Sequence, residues 1–297
     1  MMKKTRKAMG LALSVVLAVG MFSGCGDKNS AATDSSGASK EISVVSREDG
    51  SGTRGAFVEL TGVQEKDADG NKIDNTTDEA VVVNSTEIVI TTVKGDENSI
   101  GYISLGSMSD EVKGIKVDGV EATAENINNG SYTLARPFNV VTKDEINDAS
   151  KDFLDFIMSA EGQEVIAANG YIEVENTGEF MSNGATGKIV VAGSSSVTPV
   201  MEKLKEAYIK VNTEVEIEIQ ESDSTTGVNS VTEGICDLGM ASRELSEEEA
   251  ANGLNATAIA MDGIVVIVNP ANEVEELSKD QIKDVFCGTI TDWSELQ

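Results

Sequence analysis

Apolar positions along the chain recur in blocks whose period alternates between that of a strand and that of a helix. Ile42 to Ser46 is a short strand-like run that breaks at Arg47–Arg54 and passes into a helical stretch from Ala56 to Thr61. Further strand-like runs fall at Ala80–Val83, Ile100–Leu105 and Leu134–Thr142, the last interrupted by Pro137. In the second half they fall at Lys188–Ala192, Val215–Ile219, Asp237–Ala241 and Ala258–Asn269. Val112 to Val120 reads as a strand pair around the Asp118-Gly119 turn. Between these, helical spacing appears at Ser85–Lys94, Pro199–Val211, Val228–Glu233 and Lys279–Phe286. It also runs from Lys143 to Ala168 through Phe153, Phe156, Ile157, Val165 and Ile166, where Glu161-Gly162-Gln163 is expected to separate two helices. Strands alternating with helices predict an α/β fold with largely parallel sheets.

The 297 residues suffice for one large domain or two medium lobes. At 40% hydrophobic and 25% charged, the composition is that of a globular protein, and aromatics at 4% argue against a stacking surface for sugars or bases. The formal net charge is −28, from 51 acidic and 23 basic residues. Such a field repels nucleic acid, which excludes a DNA- or RNA-binding role. An anionic ligand would have to be held by local dipoles and hydrogen bonds. The chain has no histidine, so the commonest general base and the commonest transition-metal ligand are both missing.

The first 24 residues read as a targeting segment. Lys3, Lys4, Arg6 and Lys7 form a basic start, and Met9 to Phe22 is apolar but short for a membrane span. Phe22-Ser23-Gly24-Cys25 then resembles a bacterial lipobox, with Phe22 where leucine is usual. That likeness implies cleavage before Cys25, a lipid on its thiol, and a net charge of −32 after the four basic residues are lost. Residues 25–40 read as a disordered tether. The two remaining thiols, Cys236 and Cys287, sit in apolar contexts and read as small buried hydrophobes.

Three times a strand is followed by a Gly/Ser/Thr turn and then a helix: Gly50–Thr53, Gly193–Thr198 and Ser222–Gly227. Each turn would present backbone N–H groups and hydroxyls at a helix N-terminus, which is a way to hold a small oxyanion. One such turn is an ordinary helix cap; three in one chain point to a site. None reads G-x-x-x-x-G-K-[ST], so no P-loop is predicted. Arg47 and Asp49 flank the first turn, and an arginine fork can take two oxygens of a tetrahedral anion while touching a carboxylate.

Four segments together carry a family resemblance. Arg47-Glu48-Asp49-Gly50-Ser51-Gly52-Thr53-Arg54, Gly193-Ser194-Ser195-Ser196-Val197-Thr198-Pro199-Val200-Met201, Asp237-Leu238-Gly239-Met240-Ala241-Ser242-Arg243 and Asp262 to Asn269 resemble the phosphate-binding proteins of Pst-type ABC transporters. The likeness spans Glu41 to Gln297. It implies a two-lobed periplasmic-binding-protein (type II) fold with ligand in a hinged cleft. It also implies inorganic phosphate as ligand, the permease and ATPase subunits of an importer as partners, no cofactor or metal, and a monomer lipid-anchored on the extracellular face of the cell membrane. The segment order is changed, with REDGSGTR first and GSSSVTP second, which resembles a circular permutation. The lobes would then be residues 41–135 plus 264–297 and residues 136–263, with hinge crossings near Arg136-Pro137 and Asp262-Gly263.

Carried over residue by residue, the resemblance has Arg47 binding phosphate oxygens and Asp49 orienting Arg47. Ser51, Gly52 and Thr53 would donate from one side; Ser196, Val197, Thr198 and Ser224 would donate from the other. Ser242 stands where some members place an aspartate that accepts the proton of the bound phosphate, so rejection of sulfate must rest on Asp49 or another acceptor. A phosphatase or serine hydrolase is the competing class. The missing histidine, metal-ligand cluster and G-x-S-x-G elbow speak against it. Within binding, sulfate, molybdate or tungstate are the alternative ligands.

Overall fold

The computed structural model describes residues 40–296; the targeting segment, Cys25 and all of the tether but Lys40 lie outside them. The first part of the chain runs β1 (Ser43–Arg47), α1 (Gly52–Thr61), β2 (Gln64–Lys66), β3 (Lys72–Asp74), β4 (Val81–Val83), α2 (Thr86–Gly95) and β5 (Ser99–Ser104). Then come β6 (Lys113–Gly114), β7 (Lys116–Val117), α3 (Ala124–Asn128), β8 (Ala135–Lys143), α4 (Asp148–Met158), α5 (Ala160–Ala168) and β9 (Ile172–Glu173). The rest is β10 (Gly187–Ser194), α6 (Thr198–Tyr208), β11 (Val215–Ser222), α7 (Ser224–Glu233), β12 (Leu238–Ala241), α8 (Glu247–Ala251), β13 (Leu254–Val268), β14 (Glu276–Leu277) and α9 (Lys279–Phe286).

Ten strands form one mixed sheet in the order β11-β10-β12-β8-β13-β5-β1-β4, with β6 and β9 also on β13. The expectation of largely parallel pairing holds at the two ends. There, β1 runs parallel to β4 and β5, and β10 runs parallel to β11 and β12. The middle is antiparallel, because β8 and β13 are long strands that carry the chain across in opposite directions. Pro137 does not interrupt β8; it lies opposite Met261 within the ladder.

Apolar side chains gather on either side of that middle. One core is drawn from residues 138–260, with Phe153, Leu204, Tyr208, Leu238 and Ile259 fully buried. Another combines Ile42–Leu134 with Ile264–Trp293 and Ile172, and its centre is Phe57 stacked on Tyr102 with Phe286 edge-on. Smaller clusters back α2 and α7. The aromatic centre reaches the site directly. The Tyr102 hydroxyl bonds Ser46 Oγ at 2.9 Å and accepts the Arg47 N–H at 3.2 Å, which fixes the end of β1.

Several boundaries differ from expectation: α1, α7 and β13 begin at Gly52, Ser224 and Leu254 rather than at Ala56, Val228 and Ala258. The long helical stretch breaks at Ser159 rather than at Glu161-Gly162-Gln163. Ser159 Oγ donates to Phe156 O and accepts from the Gly162 N–H, closing α4 and capping α5 together. Gly162 sits in the first turn of α5, where a Cβ would lie 2.1 Å from Phe156 O, so only glycine fits that approach. Around Asp118 and Gly119, both at positive φ, the turn forms as expected. Val117 and Val120 bridge across it, but the expected strand pair goes no further: β6 pairs with β13 and β7 with β14. Cys236 is buried, Cys287 is half-buried, and both are free.

Candidate functional site

The C-terminal ends of the parallel strands lead into helices, as α/β sheets do at their ligand crevices. Four of these junctions meet: β1 to α1, β4 to α2, β10 to α6 and β11 to α7. The end of β12 joins them at Ser242. Thr53 Oγ1 bonds Ser196 Oγ at 2.8 Å, and Ser196 Oγ also bonds Thr86 Oγ1 at 3.1 Å. Arg47 Nη2 donates to Ser195 Oγ at 3.1 Å. Ser242 Oγ lies 3.0 Å from Ser194 Oγ and 3.2 Å from Ser224 Oγ, and the Ser242 N–H donates to Ser224 Oγ. Gly52 closes against this group, since a Cβ there would stand 2.4 Å from Ser224 Oγ. Arg47, Thr53, Ser195, Ser196, Ser224 and Ser242 are all buried.

The cluster is thus a set of hydroxyls and helix N-termini around one guanidinium. The first turns of α1, α6 and α7 hold no acidic residue. Each of the other six α-helices among the described residues carries at least one there: Glu87, Glu125, Asp148, Glu161, Glu247 and Asp280 are examples. Acids normally sit in the first turn because the helix dipole favours them. In so acidic a chain, α1 and α6 carry no acid at the cap or in the first turn and α7 carries none in its first turn, which leaves room for an anion that comes from outside. Asp223 caps α7, but its carboxylate is turned onto Thr226 N and Oγ1.

The sequence-derived residues fare differently. Arg47, Gly52, Thr53, Ser196, Ser224 and Ser242 converge as described. Ser51 is buried and serves as the N-cap of α1, accepting from the Arg54 N–H. The Val197 N–H and the Thr198 hydroxyl both go to Ser194 O. The expectation that Asp49 orients Arg47 is corrected. Glu48 forks Arg47, with Nε to Oε2 at 2.8 Å and Nη2 to Oε1 at 2.7 Å. The Asp49 side chain is 97% exposed and pairs with Arg54. The reason is local: Ser51 N–H donates to Glu48 O, a tight turn that puts Asp49 at its solvent tip.

Thr86, Ser194, Ser195 and Glu48 belong to the cluster although none was among the ligand residues expected; Ser194 and Ser195 lie within the second turn, while Thr86 and Glu48 lie outside all three. Thr86 was within reach, because Ser85-Thr86 is a fourth Ser/Thr helix start and Ser85 does cap α2. A cavity of about 430 Å³, lined by Glu48, Asn84, Ser85, Glu221, Ser222 and Asp223, adjoins the cluster. Burial pushes the Glu221 carboxyl up, Arg47 draws it back, and Glu87 pushes it further up. The larger surface hollow, about 940 Å³, is lined by Glu41, Asp74, Asp78, Glu79 and Asp96 and shares no residue with the cluster. Among the described residues no group of His, Cys, Asp or Glu could hold a metal ion.

Comparison with known proteins agrees with this architecture. The model of the PBP superfamily domain matches residues 26–161 and 181–297. The phosphate-binding protein PstS 2 of Streptococcus agalactiae is 51% identical over 297 residues, covering 99% of each chain. The crystal structure of a phosphate-binding protein of a phosphate ABC transporter from Streptococcus pneumoniae is 47% identical and superposes with a TM-score of 0.68, over 86% of this chain and 100% of that one. The phosphate-binding protein PstS of Bacillus subtilis is 32% identical, but over 117 residues, 38% of each chain.

Proposed function

The chain belongs to the PstS family of phosphate-binding proteins, and we propose that it captures inorganic phosphate between two lobes that close on the hydroxyl cluster. It is the substrate-binding component of a phosphate ABC transporter, not an enzyme. The observation that carries the reading of the site is the group of three helix N-termini, none with an acid in its first turn, around the buried Arg47. Arg47 takes phosphate oxygens; Thr53, Thr86, Ser195, Ser196, Ser224 and Ser242 supply hydroxyls; and the starts of α1, α6 and α7 supply N–H groups and dipoles.

The lobes are residues 41–135 plus 264–297 and residues 136–263, with β8 and β13 as the hinge. The separate cores on either side of those strands support this division. Phosphate enters when the lobes part, and the hydrogen bonds from Arg47, Thr53 and Thr86 to Ser195 and Ser196 are those that opening would break. A circular permutation also fits. The Ile42 N–H donates to Thr291 O and the Trp293 N–H donates to Lys40 O, so the two ends of the described chain lie side by side and antiparallel, as a cut made in a turn between them would leave them.

Outside the described residues, Cys25 carries the lipid that holds the protein, as a monomer, on the outer face of the membrane. No helix among the described residues is long and apolar enough to cross a membrane. Titration calorimetry with phosphate and sulfate tests the ligand: saturable phosphate binding that sulfate does not match is expected, and equal affinities would overturn the assignment. Mass spectrometry of the membrane-associated protein tests the anchor, with an acylated N-terminal Cys25 as the expected species.

A further inference from the structure

One buried ion pair lies outside the anion cluster yet touches it. Arg136 on β8 and Asp262 on β13 are register partners in the middle of the sheet, and both are buried. Arg136 Nη2 meets Asp262 Oδ2 at 3.2 Å, and Asp262 Oδ1 accepts from Ser104 Oγ, at the end of β5, at 2.7 Å. The other arm of the fork leaves the pair. Arg136 Nη1 donates to the carbonyl of Ser242 at 3.1 Å. Three residues along β8, Asn139 Nδ2 donates to the carbonyl of Arg243 at 2.9 Å, so β8 holds the turn after β12 at two successive carbonyls.

The arrangement is not the one an ion pair alone would choose. A guanidinium that only neutralised a carboxylate would lay two N–H groups on both oxygens. Here one carboxylate oxygen is given to Ser104, Arg136 Nε is buried without a partner among the described residues, and the remaining arm is spent on Ser242 O. Ser242 is then held at both ends of its backbone, its carbonyl by Arg136 and its N–H by Ser224 Oγ, which aims its hydroxyl at Ser194 and Ser224.

We infer that Ser104, Asp262 and Arg136 form a polar relay through the hinge strands, in which Arg136 is a positioning residue that sets the Ser242 hydroxyl for phosphate. This rests on the phosphate reading above. The relay links β5 on one side of the hinge to the β12 turn on the other, so the site is referenced to the hinge as well as to its own lobe.

Phosphate affinity by calorimetry and unliganded melting temperature are measured for the parent, Arg136→Lys, Ser242→Ala, their double variant, and Arg136→Met/Asp262→Asn. Lysine keeps the charge beside Asp262 but cannot also reach Ser242 O. It is expected to weaken phosphate binding by about ten- to a hundredfold, the range for one hydrogen bond to a charged donor. Added to Ser242→Ala it costs much less than it does alone, because its effect passes through that residue. The neutral pair removes both charges together and melts near the parent, while its affinity stays low. Parental affinity in Arg136→Lys and in the neutral pair overturns the inference, as does a lysine effect that multiplies fully with Ser242→Ala. A parent that binds no phosphate overturns the ligand reading first, and the relay's role with it.

Discussion

Gly52→Ala separates lobe closure from stability. Gly52 opens α1, and its φ lies outside the left-handed range, so alanine is compatible with the backbone. Its Cβ would lie 2.4 Å from Ser224 Oγ, 2.8 Å from Ser242 Oγ and 3.1 Å from Arg243 Cγ, and the closest of these is about 1 Å short of ordinary contact. Neither hydroxyl can turn away freely, since Ser224 Oγ accepts the Ser242 N–H and Ser242 Oγ bonds Ser194. Overpacking of this kind costs about 1–3 kcal/mol. That corresponds to a phosphate affinity roughly 5- to 150-fold weaker. All three obstructing residues lie in the lobe proposed to close on α1, so an open form of that kind would meet no clash. There the methyl removes unfolded-state freedom and favours the helix, a gain of up to about 1 kcal/mol. Calorimetric titration with phosphate and a thermal melt of the phosphate-free protein should therefore move in opposite directions. Unchanged affinity would refute the closure geometry. An affinity loss with an equal loss of unliganded stability would show that the methyl damages the fold and not the closed state.

Other substitutions test the remaining parts. Glu48→Ala should weaken phosphate binding by about tenfold or more, because a charge-assisted fork on Arg47 is lost, whereas Asp49→Ala should bind as the parent does; the opposite ranking in a titration would return the role to Asp49. Thr86→Val keeps the shape and removes one hydroxyl, with an expected affinity loss of about two- to tenfold by the same titration. Asp152 is a buried carboxylate that accepts from Ser182, Asn183, Tyr208 and Asn212. Burial pushes its carboxyl up, but those bonds outweigh burial and hold it below the usual carboxylate range. A depressed folded pKa gives stability that is present above the unfolded value of about 3.9 and fades as pH falls through the folded one. Asp152→Asn should lower the melting temperature at neutral pH and flatten its acid limb, as read from melts between about pH 7 and 3.

The elements were legible where apolar period and cap coincide. The helix expected at Lys279–Phe286 forms over those residues, and Ser278 with Gln281 supplies its capping box. Sheet direction was not legible, because periodicity says which residues share a face and nothing of which strands meet. The antiparallel β8 and β13 are set by tertiary pairing. At the site, the three turns were readable as Ser/Thr helix starts, but the partner of Arg47 was not. Glu48 and Asp49 are adjacent carboxylates in one turn, and only the turn's geometry decides which one folds back onto the guanidinium and which one faces water. Arg136 and Asp262 were readable only as places where the chain crosses between lobes, because 126 residues separate two side chains that share one charge pair.

Net charge and anion capture are reconciled by where the acids stand. Of 51 acidic residues, none occupies the first turn of α1, α6 or α7. Glu48 and Asp223 are near, but Glu48 is spent on Arg47 and Asp223 on Thr226. Exposed carboxylates elsewhere are screened within a Debye length of about 8 Å at physiological ionic strength, whereas dipoles and a guanidinium inside a closed cleft are screened far less. The far field therefore slows encounter with phosphate without cancelling the local field that holds it. Added salt should then raise the phosphate association rate while leaving the dissociation rate nearly unchanged. Stopped-flow measurements at two ionic strengths would expose the reasoning as wrong if salt slowed association, since that is the signature of a site drawing its ligand by net attraction.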